Sequence, residues 1–222
     1  MKKILVFSPH PDDETLGCGG TLLKHRNNGD HLYWSILTYG NKKMGHNDSH
    51  YNRWKKILEK VSDAYQFKKV YNSKYNAGEL DQKPILELTT YISLIVNKVE
   101  PEIIYIPNHS DIHTDHQVSY RAIISCLKSF RNSYVERVLM YETLSETEYA
   151  PPLSGDVFSP NVFTDITKTF NAKLKIASYY DSEILDFPFP RSVEAMEALA
   201  KYRGIRIGVN RAEAFSLIFE RN

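Results

Sequence analysis

Short apolar runs closed by turn residues alternate along the chain with segments whose apolar positions recur at helical spacing. Residues 3–7 (KILVF) form such a run, stopped by Ser8-Pro9, and suit a strand buried on both faces of a parallel sheet. Residues 14–27 carry Leu16, Leu22 and Leu23 and halt at Asn28-Gly29-Asp30, which predicts a helix. Residues 31–38 then return as a strand, so the first third of the chain opens with a βαβ unit and implies a parallel sheet. The pattern repeats with a helix over 50–64, a strand near 69–71 and a helix over 84–99, opened by Pro84 and lined by Ile85, Leu88, Ile92, Ile95 and Val99. A strand over 103–106, a helix over 118–127 and a strand over 135–141 follow. Residues 142–165, rich in Pro, Ser and Glu, read as a long surface excursion of the kind that often flanks a site. A helix over 168–180 and a strand over 214–219 close the chain. The expected architecture is α/β: a Rossmann-like three-layer sandwich with a mostly parallel central sheet, one domain over residues 1–222.

Composition narrows what such a fold is for. A chain of 222 residues, 42% of them hydrophobic, can bury one large core. Lys plus Arg (28) nearly balance Asp plus Glu (27), so no basic field draws in nucleic acid or an anionic membrane. Cys18 and Cys126 are too few for a disulfide scaffold and match no short metal-binding spacing, which favours a reducing compartment. The basic opening is followed by an apolar stretch far too short for a secretory signal, and no run approaches the roughly 20 apolar residues of a membrane span. A soluble, cytoplasmic protein is expected, with no polymeric partner.

The chemistry-bearing residues gather in two clusters, each just after a predicted parallel strand: His10-Pro11-Asp12-Asp13-Glu14, and His109-Ser110-Asp111-Ile112-His113-Thr114-Asp115-His116. Open α/β sheets place their ligands at that end of the strands, so the two clusters predict one shared site. Any one of these residues alone is more often a satisfied polar group or a helix cap, but burying so many ionisable groups together is costly unless a metal compensates. A hydrolytic zinc site asks for three nitrogen or oxygen ligands and an open position, which His10, Asp13 and His116 can supply; the same set would also take Fe(II). Asp12, beside them without having to ligate, is free to act as the base that takes a proton from water. His113, if protonated and held by Asp115, would stabilise the oxyanion or give a proton to the leaving amine.

With these residues the chain resembles the PIG-L/LmbE family of zinc-dependent N-deacetylases, bacterial branch, through His-Pro-Asp-Asp-Glu at 10–14 and His-x-Asp-His at 113–116. Gly17-Cys18-Gly19-Gly20-Thr21, Asn161 to Ile166, Pro190 to Glu194, Arg203-Gly204 and Ala212 to Phe215 extend the resemblance over nearly the whole chain. The resemblance implies His10, Asp13 and His116 as zinc ligands, Asp12 as general base, and His113, with Asp115 behind it, as the oxyanion-stabilising histidine. It implies removal of the N-acetyl group from an N-acetylglucosamine-type amino sugar or its conjugate, and a homo-oligomer, trimer or hexamer. Arg53 falls where the family often has a substrate-contacting arginine, although Lys56 stands where an acidic residue is common. Arg191 is a candidate either for binding substrate or for bridging to a carboxylate. Tyr180-Asp181-Ser182-Glu183 departs from the Ser-Gln often found there, which bears on substrate identity more than on chemistry.

Other features carry less. Gly17, Gly19 and Gly20 do not fit a dinucleotide or phosphate loop and predict tight helix packing. His25, His31, His46 and His50 lie away from both clusters and are expected at the surface, while Cys18 is expected to pack inertly. Two alternatives stay open: hydrolysis of another carbonyl, such as an N-formyl amide or an ester, and a non-catalytic sugar-nucleotide-binding protein, against which Asp12 and His113 argue.

Overall fold

Strand β1 (Lys3–Ser8) shows why its sequence reads as a continuous apolar run. Ile4 and Val6 join the core on one face of the sheet, and Leu5 and Phe7 the core on the other. Both faces are dry, so neither needs polar residues. The computed structural model describes residues 1–40, 42–152 and 157–221. Among the described residues β1, β2 (His31–Ile36), β3 (Lys69–Asn72), β4 (Ile103–Pro107), β5 (Arg137–Tyr141), β6 (Val162–Asp165) and β7 (Ala212–Glu220) form one sheet in the order β3-β2-β1-β4-β5-β7-β6. The first five strands in that order run parallel, and β7 pairs antiparallel with both β5 and β6. Helices α1 (Asp13–Asn27), α2 (Asp48–Tyr65) and α5 (Phe170–Ala177) cover one face. Helices α3 (Ile85–Val99) and α4 (Thr114–Cys126) cover the other, completing the three expected layers.

Two elements were not legible in the hydrophobic pattern. Strand β6 is a four-residue edge strand with a half-exposed pattern, inside the segment expected as a surface excursion; residues 153–156 of that segment lie outside the described residues. Helix α6 (Val193–Ile205) buries Met196, Ala200 and Gly204, a face too small-sided to register as an apolar stripe. Its close approach is real nonetheless, since a Cβ on Gly204 would lie 2.4 Å from the Val209 carbonyl oxygen. Among the described residues no helix is long and apolar enough to cross a membrane.

Helix α1 is broken at Cys18 (φ −141°, ψ 18°), inside its glycine-rich stretch. The break frees backbone groups that a buried ion pair then satisfies. Lys173 Nζ donates to the Leu16 carbonyl at 2.9 Å and to Glu213 Oε1 at 2.7 Å, and the Glu213 carboxylate accepts from the amides of Gly20 (2.8 Å) and Thr21 (2.7 Å). The glycines serve close contact, as expected: a Cβ on Gly17 would lie 2.2 Å from Tyr141 Cδ2. Tyr141 cannot swing away, because its hydroxyl donates to the Phe7 carbonyl at 2.7 Å. Gly17→Ala is therefore expected to lower unfolding free energy by about 1–3 kcal/mol, the usual cost of overpacking, seen as an earlier urea midpoint at unchanged slope.

Candidate active site

Strands β1 and β4 are neighbours, and the chain leaves them for opposite layers, α1 on one face and α4 on the other. Their carboxyl ends thus form the switch point of the sheet, where a crevice opens without any special sequence. Both clusters arrive there. The His10 amide donates to Asp13 Oδ2 at 2.7 Å, which folds the Asp13 carboxylate back across the turn leading into α1. Between them Asp12 takes φ 114°, a region that disfavours any residue with a Cβ and costs on the order of 1–3 kcal/mol. The conformation is held from three sides. The Asp12 amide donates to Glu14 Oε2 at 3.1 Å, the Asp12 carbonyl accepts from Thr15 and Leu16, and Arg191 Nη1 grips Asp12 Oδ2 at 2.8 Å.

His10, Asp13 and His116 converge as expected, their donor atoms all lying within 4.8 Å of one another. Asp13 Oδ2 stands 3.4 Å from His116 Nε2 and 3.7 Å from His10 Nδ1. Ligand atoms about 2.0–2.1 Å from a tetrahedral ion lie about 3.3–3.4 Å apart, so this spacing suits one shared cation. His116 Nε2 is buried and has no hydrogen-bond partner, an orphaned ring nitrogen on the side of the ring that faces Asp13. Each imidazole is fixed from behind by a carboxylate: His116 Nδ1 by Asp111 Oδ2 at 2.8 Å, and His10 Nε2 by Asp115 Oδ2 at 3.0 Å. Such backing sets which nitrogen faces a metal. A second grouping, His10 with His113 and Asp115, is equally compact, but Asp115 already accepts from His10 and from the amides of Gly78 and Leu80.

The electrostatics agree with a site made for positive charge. Burial pushes the Asp13 carboxyl up, yet His116 and His10 outweigh it and hold it at about 2. Burial pushes the His116 imidazole down, and Asp13 and Asp111 raise it well above its ordinary value. A buried imidazole between two carboxylates calls for a cation, be it a proton or a metal ion. Burial, with the Asp13 charge beside it, lifts the Asp12 carboxyl well above the usual range, against the pull of Arg191. Glu14, buried and accepting from Thr15, Tyr180 and Asp12, is pushed up to about 7, chiefly by burial.

The structure reassigns four sequence readings. Asp115, expected behind His113, instead turns its carboxylate to His10 and to the loop after β3. The reason is helix capping: His113 is the N-cap of α4, and its Nδ1 accepts from the Asp115 amide at 3.0 Å. Burial and the neighbouring His10 hold the His113 imidazole down at about 4, so it stands neutral rather than protonated, with its hydrogen on Nε2. Arg53 lies outside the lining of the cavity and pairs with Asp181 at the surface, because Trp54, Ile57, Leu58 and Val61 set the buried face of α2. His46 and His50, expected as surface groups, stack on one another (ring centroids 3.7 Å apart) and line the cavity wall. Arg191 bridges Asp12 and Glu183 and also faces the cavity.

That cavity, about 330 Å³, is floored by His10, Asp12, Asp13 and His113, and the loop after β5 adds Thr143 and Glu146 to its wall. Sequence reasoning named no residue of that loop. It also gave no role to Asp111, whose signal was its place five residues before His116, within reach of a ring at the first turn of α4. Asp111 is further held by Asn108 Nδ2 (3.0 Å) and the Thr147 hydroxyl (2.7 Å). Asp111→Asn is expected to weaken divalent-metal affinity roughly 10–100-fold, the usual loss on removing such a partner, as read by chelator competition.

Fold and site together define a family. Residues 5–127 match the PIG-L family, described as GlcNAc-PI de-N-acetylase, and the chain belongs to it. The diacetylchitobiose deacetylase of Thermococcus kodakarensis is 22% identical, over 98% of this chain and 84% of its own. A probable N-acetyl-alpha-D-glucosaminyl L-malate deacetylase 2 of Bacillus cereus is 25% identical over 82% of this chain and 84% of its own. Among solved structures, the conserved protein TT1542 from Thermus thermophilus superposes with a TM-score of 0.80 at 25% identity, covering 100% of this chain and 97% of its own.

Proposed function

We propose that the protein is a metal-dependent hydrolase that removes the N-acetyl group from an N-acetylglucosamine-type sugar or its conjugate. The observation that carries this reading is the convergence of His10, Asp13 and His116, with His116 Nε2 buried and unspent, beside a cavity that His10, Asp12, Asp13 and His113 line. Two nitrogens and a carboxylate oxygen at this spacing fit zinc best, with Fe(II) compatible. When bound, such an ion polarises a carbonyl and brings the pKa of water towards neutrality.

The chain's own groups supply the rest. Asp12, outside the ligand set and lifted in basicity by burial, takes the proton of the attacking water. Arg191 holds the Asp12 carboxylate in one orientation while that proton moves. His113, with Nδ1 engaged by the Asp115 amide, presents Nε2–H as a fixed donor for the oxygen that gains charge in the tetrahedral state. Deacetylation of N-acetylated sugars is also what the names of the two curated relatives describe.

Zinc-loaded and chelator-treated protein, incubated with N-acetylglucosamine and its conjugates, tests the proposal by paired assay of acetate and free amine. Equimolar acetate and amine, lost with the metal and restored by it, is the expected result. Formate from N-formyl substrates with no acetate from any sugar would replace this reading by hydrolysis of a different acyl group.

A further inference from the structure

Asp12 and Asp13 are neighbours in the chain, yet their carboxylates go separate ways. Asp13 folds back towards His10 and His116, while Asp12 turns to Arg191 and the cavity. The turn that parts them carries Asp12 at φ 114° and ψ −31°, outside the regions open to most residues with a Cβ. Something has to keep it there. The Asp12 carbonyl accepts from the Thr15 and Leu16 amides, as the residue at the start of any helix does. The Asp12 amide, buried with the rest of the residue, has one partner among the described residues, Glu14 Oε2 at 3.1 Å.

Glu14 is fully buried, lines no part of the cavity and belongs to neither candidate ligand group. A carboxyl group taken out of water needs hydrogen bonds, and this one receives them from neutral donors. Besides the Asp12 amide on Oε2, Glu14 accepts on Oε1 from the Thr15 hydroxyl at 2.5 Å and the Tyr180 hydroxyl at 2.7 Å. Thr15 Oγ1 in turn lies 3.0 Å from the Tyr65 hydroxyl. The side chain is thus clamped at one oxygen and holds Asp12 with the other. Tyr180 also opens the stretch that leads to Glu183 and Arg191, and Arg191 Nη1 donates to Asp12 Oδ2 at 2.8 Å. Asp12 is therefore held at its backbone through Glu14 and at its carboxylate through Arg191, and both holds lead back to the segment after α5.

We infer that Glu14 is a positioning residue for the reaction: its carboxylate, fixed by Thr15 and Tyr180, keeps Asp12 in the backbone conformation that sends the Asp12 carboxylate to the cavity and leaves the ligand set to Asp13. The inference rests on the reading of Asp12 as the base of an amide hydrolase. Glu14 acts through Asp12, so its loss should appear in turnover and not in substrate or metal binding.

The test compares the zinc-loaded wild type with Glu14→Met, which fills the space but offers no oxygen, and with Glu14→Gln. The Gln oxygen can still take the Asp12 N–H, while the two hydroxyls rotate to accept from its nitrogen. On an N-acetylated sugar, Glu14→Met should lower kcat roughly 10–100-fold at unchanged KM and zinc content, the scale of one buried hydrogen bond, and Glu14→Gln should recover most of the loss. In an Asp12→Asn background Glu14→Met should cost little more, because the base through which Glu14 acts is already gone. A crystal structure of Glu14→Met should show Asp12 out of its positive φ and off Arg191. Wild-type turnover in Glu14→Met, equal losses in the two variants, or a full further loss on top of Asp12→Asn overturns the inference. Should Glu14→Met not fold, Tyr180→Phe strips one clamp and leaves Glu14 in place; it should lower kcat several-fold and spare KM, and an unchanged kcat then overturns the inference. The crystal structure also separates the two proposals. No acetate from any sugar with the wild type refutes the deacetylase reading, whereas an unmoved Asp12 in Glu14→Met refutes the positioning role whatever the activity.

Discussion

Asp12→Asn is expected to lower kcat for amide cleavage by roughly 10²–10⁴-fold, the range that a positioned general base contributes, while the protein keeps its fold and its bound metal. The separation follows from geometry. Asp13, not Asp12, shares the ligand set with His10 and His116, so the substitution removes proton acceptance without removing a ligand. The amide has the shape of the carboxylate it replaces and can still accept from Arg191 Nη1. Asparagine also tolerates positive φ better than most residues, so the backbone at φ 114° gains no new strain. Metal analysis and kinetics on one preparation decide the matter. Full metal occupancy with near-wild-type turnover would remove Asp12 as the base, and activity falling only in step with lost metal would make it a structural support.

The largest stability effect is expected at Lys173, outside the candidate ligand set. Lys173→Met should cost about 3–5 kcal/mol, the range for stripping one partner from a buried ion pair, measured as a shift in the denaturant midpoint. The ammonium neutralises Glu213 and also satisfies the Leu16 carbonyl at the break in α1. With it gone, a carboxylate is left buried with only the amides of Gly20 and Thr21 to offset its charge. A Lys173→Met/Glu213→Gln double variant should recover part of the loss, because the uncompensated charge goes too. A double variant as unstable as the sum of its two single changes would show that the two residues act independently.

How much of this was legible in the sequence depended on whether a residue's role was set nearby or across the fold. Strands β1, β2 and β4 announced themselves, since strands buried on both faces admit only apolar side chains. The convergence of His10, Asp13 and His116 was legible for the same reason: two clusters at the ends of parallel strands have one crevice to share. What failed were assignments that hang on rotamer and capping. Whether Asp115 turns to His113 or to His10 depends on His113 being spent as an N-cap, and nothing in the residue types says so. His46 and His50 were set aside for their distance along the chain, yet the loop after β2 and the start of α2 fold them over the cavity. Helix α6 escaped because its buried side chains are small.

The carboxylate of Asp115 touches His10 Nε2 and, with its other contacts, the amides of Gly78 and Leu80. One side chain thus ties the aim of a first-cluster imidazole to the strip of chain around Ala77 and Gly78 that borders the cavity. Anyone recutting that border inherits the linkage: a graft that displaces those two amides will also unsettle the aim of His10, so they are the fixed points around which a redesign has to work.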